Sequence, residues 1–234
     1  MNVILTGASK GIGRGIAIAL AKAGCNLGLL ARSQDELEAV AEACRACGDI
    51  QVFTRPCNLR SADDTQAAID ALTSALGGLD AIINNAGLII RQDVKTISLD
   101  DWHAMVETNI NGVFYTTRAA IPHFQTNGHG HIINISSISG RMPLPGGSGY
   151  AATKYAVSGF SESIFLELRD DNIKVTVIFP GSVDSQSHRH DPAAPTDWKV
   201  QPEEVGDACW SILNTSPGNC ISRLEIRPLH RPPK

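Results

Sequence analysis

Three glycines set between an apolar run and an amphipathic one constrain this chain more than any other feature. Val3-Ile4-Leu5 leads into Thr6-Gly7-Ala8-Ser9-Lys10-Gly11-Ile12-Gly13, and a helical pattern follows to Ala23. In that setting Gly7 can make the tight turn. Gly11 removes a side chain where a diphosphate would approach, and Gly13 lets helix and strand pack closely. The start of the helix offers free N–H groups and a partial positive charge to an anion. A plain strand-to-helix turn needs one glycine, not three.

The same alternation runs through the rest of the chain. Strands are expected at Asn2–Leu5, Asn26–Ala31, Gln51–Thr54, Leu79–Asn84, His131–Ser136, Lys174–Phe179 and Arg223–Ile226. Helices are expected at Ile12–Ala23, from Ser33 to near Gly48, from Ser61 to Gly77, from Ser98 to about Gln125, from Ser148 to Arg169 and from Pro202 to Asn214. Ala81-Ile82-Ile83 and Val175-Thr176-Val177-Ile178 are nearly continuous apolar runs, as strands covered on both faces require. The expected fold is α/β: a doubly wound parallel sheet of about seven strands with helices on both faces. At 234 residues, a single domain spanning 1–234 is expected. The polar stretch Ser185–Lys199, with Pro192 and Pro195, is expected to form a lid loop over about 185–201.

Composition excludes several classes. A net charge of −4 argues against nucleic acid as the main partner. No run of about 18 apolar residues would cross a membrane, and Met1-Asn2 carries no basic leader, so a cytoplasmic protein is expected. Its six cysteines are then expected as reduced thiols.

Chemistry enters with Tyr150-Ala-Ala-Thr-Lys154 at a helix start. Residues i and i+4 share a face, so the ammonium neighbours the phenol and is expected to lower its pKa from near 10. Tyr150 could then act as a general acid toward a carbonyl oxygen. Asn84-Asn85-Ala86-Gly87 and Ile135-Ser136-Ser137 follow two other strands, and an open parallel sheet holds its ligand at such strand ends. Ala31-Arg32-Ser33 ends the second strand with no carboxylate, and Lys10 can reach the same corner. Two cations there favour a 2′-phosphate, hence NADP(H), with NAD(H) as the alternative.

In this order and spacing, the Thr6–Gly13 turn, Asn84–Gly87, Asn109, Ser137, Tyr150, Lys154 and Pro180-Gly181 resemble the short-chain dehydrogenase/reductase family across nearly the whole chain. The resemblance implies a Rossmann-type sheet with Tyr150 as general acid/base. It implies that Ser137 holds the substrate oxygen, that Lys154 binds the nicotinamide ribose, and that Asn109 completes a proton relay. Cofactor contacts are implied for Gly7, Ser9, Lys10, Gly11, Ile12, Gly13, Arg32, Ser33, Leu59, Asn85, Ala86 and Gly87. Tyr150, Lys154, Pro180, Gly181 and Val183 are implied on the nicotinamide side. Ser136 is expected to be structural.

Two positions depart from the family pattern. Asn58 stands where an Asp usually meets the adenine amino group, and its amide oxygen can still accept. Ser185 stands where a Thr usually meets the carboxamide. The polar lid implies either an open site or a substrate whose negative group meets Arg189 or Arg91. A homodimer or homotetramer is implied, with Val157, Phe160, Ile164 and Phe165 adding apolar surface.

Other signals are discounted. Cys44-x-x-Cys47 is expected to be two free thiols, and His188 with His190 lacks further ligands, so no metal is expected. The remaining histidines are expected at the surface or at caps. Trp102, Met105, Val106, Ile110, Val113 and Phe114 recur as a core-facing stripe does. The leading expectation is an NADP(H)-dependent carbonyl reductase similar to 3-oxoacyl-(acyl carrier protein) reductases, acting on a small molecule. The alternatives are an NAD(P)+-dependent alcohol dehydrogenase for a hydroxysteroid or sugar alcohol and, remotely, a dinucleotide-binding sensor without chemistry.

Overall fold

The computed structural model describes residues 1–185 and 196–230. Seven strands form one parallel sheet: β1 (Asn2–Thr6), β2 (Asn26–Ala31), β3 (Val52–Pro56), β4 (Ala81–Asn84), β5 (Gly130–Ile135), β6 (Ile173–Pro180) and β7 (Arg223–Ile226). Their order is β3-β2-β1-β4-β5-β6-β7, so the winding reverses between β1 and β4. Asn2 pairs with Asn26 on one side of β1, and Val3 with Ala81 on the other. The helices that leave β1 and β4 therefore diverge, and a crevice opens at the carboxyl ends of those strands.

The helices are α1 (Gly11–Lys22), α2 (Gln34–Arg45), α3 (Ala62–Leu76), α4 (Leu99–Val106), α5 (Gly112–Asn127), α6 (Ser148–Leu168) and α7 (Pro202–Leu213). Alternate strand residues point to opposite faces, and two cores follow from that period. Val3, Leu5 and Ile83 pack with Ile16, Leu20, Val40 and Ile212 of α1, α2 and α7. Ile4, Ile82 and Ile132 pack with Ile69, Leu72, Phe124 and Ile164 of α3, α5 and α6. The expected elements are present, with ends moved by up to three residues. Gly24 and Gly77 take the left-handed conformation where helix stops were expected.

Two expectations need correction. The long helix from Ser98 is interrupted by a π turn at Glu107–Asn111. The extra residue in a π turn shifts the helical phase, so residues that share one stripe at regular spacing fall on different faces. Met105 and Val113 are buried, but Trp102 and Phe114 are exposed. The second correction is His131, which is buried rather than at the surface. Its Nε2 lies 2.8 Å from Thr176 Oγ1, and burial, with Lys174 nearby, pushes its pKa down to about 4.

Among the described residues no helix is long and apolar enough to cross a membrane. Cys44 is buried, with its thiol pushed up to about 11 mainly by burial, and Cys47 Sγ donates to Ala43 O. His188, Arg189, His190 and most of the expected lid lie outside the described residues. The two ends of that stretch are tied together. Asp184 N–H donates to Val200 O at 2.8 Å, and Val200 N–H donates to Ser182 O at 3.1 Å.

Candidate active site

A cleft of about 950 Å3 lies where the sheet reverses its winding. The glycine turn forms its floor, and Thr6 is the hub of that turn. Its hydroxyl accepts from the backbone N–H groups of Asn85 and Ala86 at 3.0 and 3.1 Å. Asn85 Nδ2 donates to Thr6 O and Gly7 O at 3.0 and 3.1 Å. The first turn and the Asn84–Gly87 segment are therefore one unit. Asn85, implied as a cofactor contact, lines the cleft while its side-chain amide is held by this scaffold.

Gly7 has a φ of +65°, and a Cβ there would lie 2.7 Å from Ala86 Cα. A Cβ on Gly13 would lie 2.0 Å from Gly7 O. Neither contact can be relieved by a side-chain rotation, which is the physical reason both are glycine.

The start of α1 is prepared for an anion. The α2, α3 and α4 helices each begin with a serine cap, at Ser33, Ser61 and Ser98, and with two acidic residues in the first turn. The α1 helix begins at Lys10 with no side-chain cap and no acid in its first turn. Its orphan N–H groups and its dipole are left for a ligand phosphate.

The far wall carries the reactive side chains. Tyr150 and Lys154 sit one turn apart on α6, both buried and both lining the cleft. Lys154 Nζ donates to Ile135 O at 2.9 Å and lies 5.9 Å from the Tyr150 ring centre. Burial pushes its pKa down to about 8. Burial also pushes the Tyr150 phenol up to about 12, against a smaller lowering from the Ser137 hydroxyl. The expected depression of the phenol by Lys154 is therefore corrected. Burial dominates both groups, and the ammonium is turned toward a backbone carbonyl.

Ser137 accepts from Ser139 N–H at 3.1 Å and stands beside the phenol. Ser136 Oγ instead donates to Lys154 O at 3.0 Å and lies 3.1 Å from Ser158 Oγ, which anchors α6 to β5 as a structural serine does. Asn109, in the π turn, is fully buried. Its Oδ1 accepts from Leu88 N–H at 2.7 Å, and its Nδ2 donates to Leu88 O at 2.9 Å and Thr153 Oγ1 at 3.0 Å.

The other expected cofactor residues divide in two. Ser9, Lys10, Gly11 and Ile12 line the cleft, as do Arg32, Ser33, Asn58 and Leu59. Ala86 and Gly87 do so as well. Asn58 Oδ1 also accepts from Arg60 N–H at 3.3 Å. Ser185 lines the cleft at the glycine turn, where a Cβ on Gly11 would come within 3.3 Å of its Cβ.

Three expected contacts fall outside the described wall. Pro180 is buried at the end of β6, Gly181 N–H donates to Ile226 O at 2.8 Å, and Val183 bridges to Val200. Gly181 is thus paired with β7, and Val183 with the segment ahead of α7. Arg91, half-buried, is not part of the wall either.

Sequence reasoning missed Glu36, Cys57, Arg60 and Thr108, all of which line the cleft. Glu36 was legible as the fourth residue of a cap motif, and it also lines the cleft with Arg32 and Ser33. Thr108 depends on the π turn, which no sequence period announces.

The family pattern described as short chain dehydrogenase matches residues 1–195. The chain belongs to that family and is an NAD(P)-dependent oxidoreductase. An uncharacterised oxidoreductase of Staphylococcus aureus is 32% identical over 227 residues, covering 97% of this chain and 96% of that one. An alcohol dehydrogenase from the archaeon Thermococcus sibiricus, solved with 5-hydroxy-NADP, is 28% identical at a TM-score of 0.92 and covers 100% of this chain and 98% of its own. A 3-ketoacyl-(acyl-carrier-protein) reductase from Brucella melitensis, solved with NADH, is 25% identical at a TM-score of 0.88 and covers 97% of each chain.

Proposed function

We propose that this protein reduces a small ketone or other carbonyl compound to a secondary alcohol with NADPH, and that Tyr150 donates the proton. The observation that carries this reading is that Tyr150 and Lys154 share one wall of a cleft whose floor is the glycine turn, with the Ser137 hydroxyl bonded to the phenol.

The residues fit a dinucleotide. The uncapped α1 start and Gly11 would take its diphosphate, Asn58 and Leu59 its adenine, and Arg32 with Lys10 its 2′-phosphate. The alcohol dehydrogenase noted above, solved with 5-hydroxy-NADP, supports the phosphorylated form, while Glu36 works against it. Lys154 would meet the nicotinamide ribose. When bound, the cofactor supplies the hydride, and the protein supplies position and electrostatics.

Tyr150 is a neutral phenol at neutral pH, so it is ready to donate to an oxygen that gains charge. The Ser137 hydroxyl adds a second donor to that oxygen. Lys154, largely protonated at pH 7, would return a proton toward Tyr150 on turning from Ile135 O, and Asn109 would complete the relay to solvent that the family resemblance implies. The alternative, an alcohol dehydrogenase for a hydroxysteroid or sugar alcohol, runs the same step in reverse, and the Thermococcus sibiricus neighbour carries that name.

The whole chain is proposed to work as one catalytic unit in the cytoplasm. Phe114, Tyr155 and Leu166 are exposed on α5 and α6, and they support a homodimer or homotetramer that light scattering would test.

The functional test is NADPH oxidation over a panel of ketones, acyl thioesters and sugars, repeated with NADH. Turnover with NADPH that Tyr150→Phe lowers at least about 100-fold, with NADPH binding retained, is the expected result. Equal or better use of NADH would overturn the cofactor preference. Undiminished turnover in Tyr150→Phe would overturn the proton donor.

A further inference from the structure

Beside the Arg32 corner of the cleft lies a second cavity of about 580 Å3, at the ends of β2 and β3 and the start of α3. Its wall carries three guanidinium groups, from Arg32, Arg55 and Arg60, and one carboxylate, Asp64. The β2–β3 register explains the convergence. Arg55 pairs with Leu30 and Pro56 with Ala31, so Arg32 and Arg55 leave from adjacent strand ends. Arg60 follows three residues after Cys57 and is steered by its Nε, which donates to Thr108 Oγ1 at 3.0 Å.

Of the other described arginines, Arg45 pairs with Glu38, Arg223 with Glu162, and Arg141 and Arg227 share Glu225, while Arg14, Arg91 and Arg118 are scattered and unpaired. Among the described residues, none of the three cavity arginines forms an ion pair. Like charges converging on one hollow repel, and a bound dianion would reverse the sign of that energy. Guanidinium forks match phosphate oxygens in pairs. The two cavities share Arg32, Cys57, Asn58 and Arg60, so a group held at Arg32 lies within reach of both.

The geometry points to a phosphate-monoester site in this second cavity, in which Arg55 and Arg60 join Arg32. It rests on the NADP(H) reading above for its first source of phosphate, the cofactor's own 2′-phosphate. Recognition of that group is then spread over three guanidiniums, and Arg32 accounts for only part of the preference. The second source is a separate phosphate held beside the bound cofactor.

The test is calorimetric titration of the full chain and of Arg55→Gln and Arg60→Gln. The probes are 2′,5′-ADP, 5′-AMP, and inorganic phosphate with NADPH already bound. If the cofactor supplies the phosphate, the wild type binds 2′,5′-ADP at least about tenfold more tightly than 5′-AMP. Each variant then cuts that ratio about three- to tenfold, and in Arg55→Gln, outside the cofactor cleft, melting temperature and 5′-AMP affinity hold. If a separate phosphate is the ligand, inorganic phosphate binds alongside NADPH, and each variant weakens it. Discrimination that survives both variants, with no arginine-dependent binding of inorganic phosphate, overturns the site and leaves the NADP(H) reading standing. A wild type that does not discriminate overturns the NADP(H) reading itself. Arginine-dependent binding of inorganic phosphate would still support the site in that case, and its absence would end both.

Discussion

Asn109 offers the sharpest test of how the π turn serves the site. Its amide makes three hydrogen bonds, two to the backbone of Leu88 and one to Thr153 on α6. It thereby joins the segment after β4 to the helix that bears Tyr150 and Lys154. The distance to the reactive set is short, since a Cβ on Gly87 would lie 3.5 Å from both Asn109 Oδ1 and Lys154 Nζ. Asn109→Ala removes all three bonds. At about 0.5–1.5 kcal/mol each, and with the polar groups of Leu88 only partly reachable by water, the loss is about 2–4 kcal/mol. For a chain of this size about 3 °C of melting temperature is lost per kcal/mol, so a fall of about 6–12 °C is expected. Asn109→Asp is a stricter variant. A carboxylate still accepts from Leu88 N–H, but it cannot donate to Leu88 O or Thr153, and it sets oxygen against oxygen. It should not restore the wild-type melting temperature. The assay is thermal unfolding followed by circular dichroism, with NADPH oxidation as the second readout and at least a tenfold loss of kcat expected. If Asn109→Ala melts within about 2 °C of the wild type, or Asn109→Asp restores it, the bonds described here do not hold the site together.

Three further outcomes are expected. Ser137→Ala should lower kcat about 100-fold with an unchanged melting temperature. Ser136→Ala, which loses buried bonds to Lys154 O and Ser158, should cost about 1–2 kcal/mol of stability with kcat nearly kept, and the reverse pattern would exchange the two roles. His131 is neutral in the fold, with a pKa near 4 against 6.5 when unfolded, so the unfolded chain takes up the proton first as pH falls. Its contribution is present above pH 6.5 and is lost between there and pH 4, up to about 3 kcal/mol. Urea unfolding of His131→Gln at several pH values should show a flatter acid limb, and an identical limb would refute the assignment. Gly13→Ala would set a methyl 2.0 Å from Gly7 O and should cost about 1–3 kcal/mol or more, with NADPH binding lost. Normal NADPH affinity in that variant would show that the turn can yield.

Much of this molecule is written in local pattern. The apolar runs Val3-Ile4-Leu5 and Ala81-Ile82-Ile83 specify strands covered on both faces, and the seven strands fall where those runs do. Serines at Ser33, Ser61 and Ser98 cap helices because their hydroxyls reach a backbone N–H three residues on. The glycine turn was legible because Gly7 and Gly13 are demanded by backbone approach, a constraint one residue type satisfies. Tyr150 and Lys154 on one helical turn follow from the α-helical period.

Tertiary structure decided what depends on environment or on non-local meeting. The protonation of Tyr150 and Lys154 is one case: spacing makes them neighbours, but burial sets the sign of both shifts. The π turn is another, since it moved Trp102 and Phe114 out of the core and brought Asn109 to Leu88. The pairing of Gly181 with β7 and of Val183 with Val200, ahead of α7, is likewise non-local. The gathering of Arg32, Arg55 and Arg60 came only with the β2–β3 register. Local sequence carries period, caps and turn chemistry, because those act within a few bonds. Dielectric, register and convergence belong to the folded chain, because they are set by residues far apart in sequence.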